Sequence, residues 1–400
     1  MRCEIKVNAP NPSLLKRGTK GEFLIFLLFV FFIPALQAIT LSVGPNDKIQ
    51  GAIDKTKPGD IVIIKDGVYK ETIDLDEKTS ITVKAEGKNA VITGVKNGIV
   101  IDNCSNVVID GFIIKDVPRR GIFAVDSDSV TIKNCEISNS GDLGILTGFC
   151  SYLLIENNEV YNTKGSHGIY VSNSSDYPIV RNNTCYDNAD SGIQLNADIH
   201  TQPLEGGADG IITNAVIENN ILYGNNIKSR EAFALNFDGV QHSLIRNNML
   251  YDNHGGGIVL FKIDGGDSSK FNRISNNTVY YSTGENFVNQ IPLSIVDDST
   301  GCIVENNIFV TDGAIPFELE ENTAFYITSD NNVFYNRADI NSVVWIKNTA
   351  ESREMSDYWR HYDIENAIKG KTYSLPGWQK FNSQDLRSIT EKPLFVNPQK

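Results

Sequence analysis

Asp198 and Asp238 end two closely related phrases of this chain, LNAD and LNFD. If the two segments lie side by side as neighbouring strands, their carboxylates fall about 5 Å apart. At that spacing they can bind a divalent cation, or share a proton so that one acts as a general acid. Each has an ordinary use as well, since Asp opens a turn by bonding to its own backbone. His167 precedes Tyr170 by three residues, which brings an imidazole and a phenol to one place. A neutral imidazole takes protons and a phenol gives them. Lys262 and Arg230 are cations that would neutralise an anionic group on a substrate, although charges on turns are commonly only solvated. Asp190 joins Asp198 and Asp238 as a carboxylate for a metal, with calcium the cation that suits oxygen ligands.

The elements that must position these residues come from a repeat. An apolar segment, an Asn-Asn pair, two or three more apolar residues and often a Tyr recur as IENNEVYN from Ile155, VRNNTCYDN from Val180, IENNILYGN from Ile217, IRNNMLYDN from Ile245, ISNNTVYYS from Ile274 and VENNIFVTD from Val304. A second landmark precedes each phrase: Gly121-Ile-Phe, Gly144-Ile-Leu, Gly168-Ile-Tyr, Gly192-Ile-Gln, Ala232-Phe-Ala and Gly257-Ile-Val. Most of these openings lie 23 to 25 residues apart. A unit that short cannot bury its own apolar face, so it must stack on its neighbours as one turn of a solenoid. Its pieces are short, β-branched and punctuated by Gly and Asn, which predicts strands. Asn tolerates the left-handed backbone of a tight corner, and stacked amides bond from rung to rung, so the Asn-Asn pairs are structural.

One rung therefore reads as a first strand over Gly192 to Asn196, a second over Ala215 to Glu218 and a third over Ile221 to Tyr223. Alternation sends Ile193 and Leu195 inward and leaves Gln194 and Asn196 outside. Registering the rungs on their openings gives an outward ribbon of Phe123, Leu146, Tyr170, Gln194, Ala234 and Val259, with Ser172, Asn196, Asn236 and Phe261 beside it. In this register Asp198 and Asp238 are neighbours. Strict alternation points Lys262 inward, so it serves only if its strand has already ended. The longest turn insertions follow Asn196 and Lys262, on the edge of the same ribbon.

Composition narrows the partners. The chain has 400 residues, 41% of them hydrophobic, and a net charge of −13. That describes a folded chain and argues against nucleic acid and anionic membranes, which call for a basic face. Phe23 to Pro34 is intensely apolar, follows Lys16, Arg17 and Lys20, and precedes small residues ending at Ala38, the pattern of a cleaved secretory signal. Residues 1–38 are expected to be that signal and the remainder to be secreted or displayed on the cell surface, as a monomer. The five cysteines beyond it form no CxxC pair and read as small buried hydrophobes. The sequons at Asn182 and Asn276 use repeat asparagines, expected to be buried.

The Asn-Asn rungs, the Gly-Ile openings and the segment SVGPNDKIQGAIDKTKPGDIVIIKDGVY from Ser42 together resemble the right-handed parallel β-helix family. This is the pectate-lyase-like superfamily of polysaccharide lyases and hydrolases, mannuronan epimerases and NosD-type carbohydrate-binding repeats. The resemblance covers Ile39 to Tyr335. It implies an all-β parallel β-helix over residues 39–345, opened by a short capping helix bearing Ile49, Ala52 and Ile53, and closed by residues 346–400, including the Ser352 to Tyr362 and Trp378 to Phe395 tracts. It also implies a polysaccharide ligand along the first-strand ribbon, held by Tyr170, Gln194, Asn196, Asn236 and Arg230. A uronate-directed lyase would use His167, Lys262 and the Asp198–Asp238 pair for β-elimination. A hydrolase would use that pair as its two carboxylates, and a carbohydrate-binding surface protein would use the ribbon without chemistry. The polygalacturonase motifs (Asn-Thr-Asp, Asp-Asp, Gly-His-Gly and Arg-Ile-Lys) and the Asp-Pro-His-Asp signature of the epimerases are absent from the corresponding rungs.

Overall fold

The computed structural model describes residues 38–201, 208–282, 290–338, 341–347 and 370–395. The leader through residue 37 and the Ser352 to Tyr362 tract lie outside the described residues. Each turn of the chain lays down three short strands, as in Ile193–Asn196, Val216–Glu218 and Ile221–Tyr223. Corresponding strands of successive turns pair in parallel, which builds long sheets of 12, 12 and 11 strands. The fold is an all-β parallel β-helix, and its short strands follow from a chain that changes direction every few residues at Asn, Asp and Gly.

The two asparagines of each pair do different work. The first adopts a left-handed backbone, with φ of 56° at Asn157 and Asn219 and 54° at Asn182. The second points inward and bonds the same residue of the next rung: Asn183 Nδ2 donates to Asn220 Oδ1 at 3.1 Å and Asn220 Nδ2 to Asn248 Oδ1 at 3.0 Å. This ladder runs from Asn158 through Asn183, Asn220, Asn248, Asn277, Asn307 and Asn332. A shorter one joins Asn188, Asn225 and Asn253. The division of labour corrects the expectation for the sequons. Asn182 and Asn276 are first members of their pairs and exposed, while the buried amides are their successors.

Between the ladders the core is filled by two inward residues from each first strand, such as Ile193 and Leu195, and by one from each second and third strand, such as Ile217 and Leu222, all fully buried. Each contributes on the order of 2 kcal/mol by leaving water. The five described cysteines are all buried and free; Cys185 fills one of these strand positions, and Cys135 takes the place of the second asparagine, its N–H donating to Asn158 Oδ1 at 3.0 Å. Helix α1 (Ile49–Ile53) buries Ile49 and Ile53, one turn apart on one face, and α2 (Glu321–Phe325) follows a late first strand. At the far end Gly370–Ser374 runs antiparallel to Ser342–Lys347 and leads into α3 (Leu375–Asn382). Ser374 caps α3 by accepting from the Gly377 N–H, and Trp378 on this helix is fully buried. Trp378 Nε1 donates to Asp385 Oδ2 at 2.9 Å, and Asp385 Oδ1 accepts from Asn332 Nδ2 at 3.1 Å. The last rung of the asparagine ladder thus finds its partner in the segment after the solenoid. Among the described residues no helix is long and apolar enough to cross a membrane.

Candidate functional site on the first-strand face

The outward face of the first-strand sheet carries Phe123, Leu146, Tyr170, Gln194, Asn236, Val259, Ser294, Glu318 and Trp345, each directly paired with the next. A second outward row runs Ser172, Asn196, Asp238 and Phe261. This register differs from the expected one after the insertion. Gln194 pairs with Asn236 rather than Ala234, and Asn196 with Asp238 rather than Asn236. The slide of two residues places Leu235 and Phe237 against Ile193 and Leu195 in the core, all four fully buried. Because side chains alternate with a period of two, such a slide preserves which residues face out and changes only who stands beside whom.

The consequence is that Asp198 and Asp238 are not a pair. Asp198 lies beyond its strand and caps its own turn, accepting from the His200 N–H at 2.7 Å and the Thr201 hydroxyl at 2.6 Å. Asp238 is 1% exposed and accepts three backbone N–H groups, from Ile263, Asp264 and Gly265, at 2.8–3.1 Å. Burial raises its pKa while those bonds hold it down. Its carboxylate organises the turn after Lys262 on the next rung, so the own-turn reading holds for Asp198 and not for Asp238. The strand Gly256–Phe261 ends before Lys262, which is exposed and bonds back to the Gly266 carbonyl of its own turn at 3.4 Å. Arg230 is exposed on the turn at the opposite edge. Asp190 accepts from the Ser191 N–H at 3.0 Å and stands 3.8 Å from His167 Nδ1. Among the described residues no group of three or more His, Cys, Asp or Glu side chains converges to hold a metal.

His167 and Tyr170 do come together. Gly168 lets them: a Cβ there would stand 2.7 Å from the Gly192 carbonyl oxygen and 2.8 Å from Asn188 Nδ2, so the chain enters the strand tightly and leaves His167 on the rim. The two rings are 5.0 Å apart and inclined at 60°. His167 is 9% exposed, and its Nδ1 stands 3.8 Å from Asp190 Oδ2 without a hydrogen bond among the described residues. Burial lowers its pKa and outweighs the pull of Asp190 and Asp142. Burial pushes the Tyr170 phenol up to about 12, against a bond from the Asn196 amide and with further help from Asp264, Asp198 and Asp238. Near neutral pH the site therefore holds a neutral imidazole beside a neutral phenol. Asn196, one rung on, and Asn236, two rungs on, are buried, and the side-chain oxygen of each is without a hydrogen-bond partner among the described residues.

Two further features escaped the sequence reading. Arg120 precedes Gly121 as His167 precedes Gly168, so it stands at the same rim two rungs away. Its guanidinium lies 4.5 Å over the Phe123 ring on the ribbon, and its Nε, 3.8 Å from Asp142, makes no hydrogen bond among the described residues. The Gly-Ile openings were the available signal, had the preceding residue been compared between rungs. Farther along the same face lie Asp297, Glu318, Glu320 and Lys347. Asp297 follows the first strand Leu293–Ile295, and its N–H donates to Glu320 Oε2 at 2.9 Å. Burial, then Glu320, raises its pKa to about 6. Lys347 pairs with Glu318 and is drawn down to about 8 by burial, with Asp297 opposing. Asp297 and Asp298 form the turn after Leu293–Ile295, both with a left-handed backbone at φ of 54° and 56°.

Residues 77–199 match the family model described as right handed beta helix region. The crystal structure of an alginate lyase from Paenibacillus sp. str. FPU-7 superposes with a TM-score of 0.50 at 19% identity, covering 67% of this chain and 94% of that one. The A-module of a mannuronan C-5 epimerase from Azotobacter vinelandii gives 0.54 at 15% identity, with 74% and 85% covered. A surface adhesin of Streptococcus pneumoniae gives 0.54 at 12% identity, with 75% and 88% covered. A search among curated proteins finds no match. In fold the chain is a right-handed parallel β-helix protein, sharing the architecture of pectate and alginate lyases. At these identities the likeness is one of fold.

Proposed function

We propose that this protein acts on a uronate-containing polysaccharide by β-elimination, with the first-strand ribbon as its binding groove. The observation that carries the reading is the juxtaposition of His167 and Tyr170, both held neutral, with the unpartnered amide oxygens of Asn196 and Asn236 on the next two rungs of the same face. His167 takes the proton α to the uronate carboxylate and Tyr170 protonates the departing glycosidic oxygen, which leaves a 4,5 double bond in the new end. Gln194, Asn196 and Asn236 bind sugar hydroxyls. Arg120, in place of Lys262 and Arg230, meets a uronate carboxylate about two rungs from the reacting unit. Secretion to a glycan-rich exterior fits such a substrate, and calcium enters as a variable of the assay.

The experiment is digestion of alginate, polygalacturonate and neutral glucans, with and without calcium or chelator, followed by ultraviolet absorbance and reducing ends. Unsaturated, ultraviolet-absorbing ends support elimination. Reducing ends without absorbance transfer the activity to hydrolysis, a second reading favoured by Asp297, whose pKa near 6 suits a general acid, beside Glu320. Retention of a polymer with no product of either kind leaves a binding protein.

A further inference from the structure

Two residues before each second strand the corner holds a left-handed residue in register: Ser129, Tyr152, Tyr177, Asn214, His242, Phe271 and Gly301, with φ between 52° and 70°. Backbone bonds from each to the rung above confirm the equivalence, with Tyr177 N donating to Thr213 O, Asn214 N to Gln241 O and His242 N to Lys270 O. Ser, Asn and Gly suit this conformation, while a bulky ring there is unusual and costly. Tyr152, Tyr177 and Phe271 are nevertheless aromatic and 60%, 45% and 52% exposed, so burial does not explain them. They stack in two pairs, Tyr152 on Tyr177 at 4.9 Å and 4°, and His242 on Phe271 at 5.0 Å and 13°. Phe271 rests its far side on Gly301, where a Cβ would come within 2.4 Å of the ring.

The interruption between the pairs is one rung, occupied by Asn214, whose Nδ2 turns aside to Thr213 Oγ1 at 3.0 Å. Tyr177 and His242 are thus two rungs apart, about 9.6 Å at the usual strand spacing. A flat ring between them would have an aromatic face about 4.8 Å away on either side, the spacing the existing pairs already show. From this geometry we propose that Tyr177 and His242 form a sugar-binding slot that sandwiches one pyranose ring, outside the groove and separate from its chemistry. A pyranose offers two C–H faces to the rings and hydroxyls around its edge to Asn214 and solvent. A nucleobase would bring phosphates against a chain of net charge −13. The slot lies on the corner before the second strand rather than on the outward face of the first, so it holds a second polymer chain or a distant stretch of the same one. The assignment rests on the glycan reading above but not on its chemistry.

The test is affinity electrophoresis through gels containing alginate, polygalacturonate or a soluble glucan, run beside product assays on short oligosaccharides. Tyr177→Ala and His242→Ala are expected to weaken retardation about tenfold, the worth of one stacking contact. Asn214→Phe is expected to do the same without removing a ring, because it fills the slot at a position where three rungs already carry Tyr or Phe. Product formation from short oligosaccharides should stay unchanged in all three. Retardation equal to wild type in the Ala variants, or stronger binding by Asn214→Phe, overturns the slot, as does a wild-type protein that none of the polymers retards. Loss of product in His167→Ala with retardation intact touches only the ribbon, and normal retardation by a wild type that makes no product refutes the chemistry while supporting the slot.

Discussion

His167 and Tyr170 illustrate how one rim position acquires chemistry. The imidazole sits below its ordinary pKa of 6.5 because it is buried, and the phenol rises to about 12 for the same reason. Elimination should therefore switch on as pH climbs through a value below 6.5, where His167 loses its proton, and hold its plateau far into the alkaline range. Tyr170→Phe should lower kcat by about two to four orders of magnitude with little change in KM, while His167→Ala should remove the acid limb along with the activity. Arg120→Gln should instead raise KM for a polyuronate by about tenfold or more at nearly constant kcat, read from initial rates, because it deletes a charge-assisted contact remote from the reacting bond. Equal losses in kcat would place Arg120 at the reacting centre. The likeness of LNAD and LNFD does not make Asp198 and Asp238 neighbours, because alternation fixes the face of a residue but not which residue stands beside it.

At the scale of the strand and its corner, the repeated Asn-Asn phrase divides into a conformational residue and a bonding one. Asn220→Ala should cost about 3 kcal/mol in denaturant unfolding, since it strands the Asn183 N–H and the Val180 carbonyl as well as its own ladder bonds. Asn219→Gly, at φ 56°, should be close to neutral, because glycine accepts that backbone freely. Comparable losses for the two would mean that the corner conformation, rather than the amide ladder, carries the stability. These roles were legible in the sequence because they repeat: the same two asparagines recur from Asn157 to Asn332, and stacking is the only way short rungs satisfy them. The turn after Lys262 was not legible, since Asp238 is built into it by three backbone N–H groups that lie more than twenty residues away.

At the scale of the whole molecule, four carboxylates, Asp238, Asp297, Glu318 and Glu320, follow one another along the first-strand face. Asp297 keeps its proton up to about pH 6 in the folded chain against an ordinary 3.8. The folded state thus binds more protons across that window, so its stability is greatest below the ordinary value and falls as pH rises toward 6. Asp297→Asn removes that fall: its melting temperature should match wild type at about pH 4 and exceed it at about pH 8, and an advantage of the same size at both would show that titration is not the cause. The sequence by itself determined the solenoid, the phase of its rungs before the insertion, the inward and outward faces and the ribbon on which to look, because each of these is set by periodicity and local backbone preference. Only the tertiary structure decided that Asn196 rather than Asp198 stands beside Asp238, and that Asp297, Glu320 and Lys347 meet. Those juxtapositions depend on how far each insertion displaces the next rung, and insertion length carries no periodic signal from which the displacement could be read.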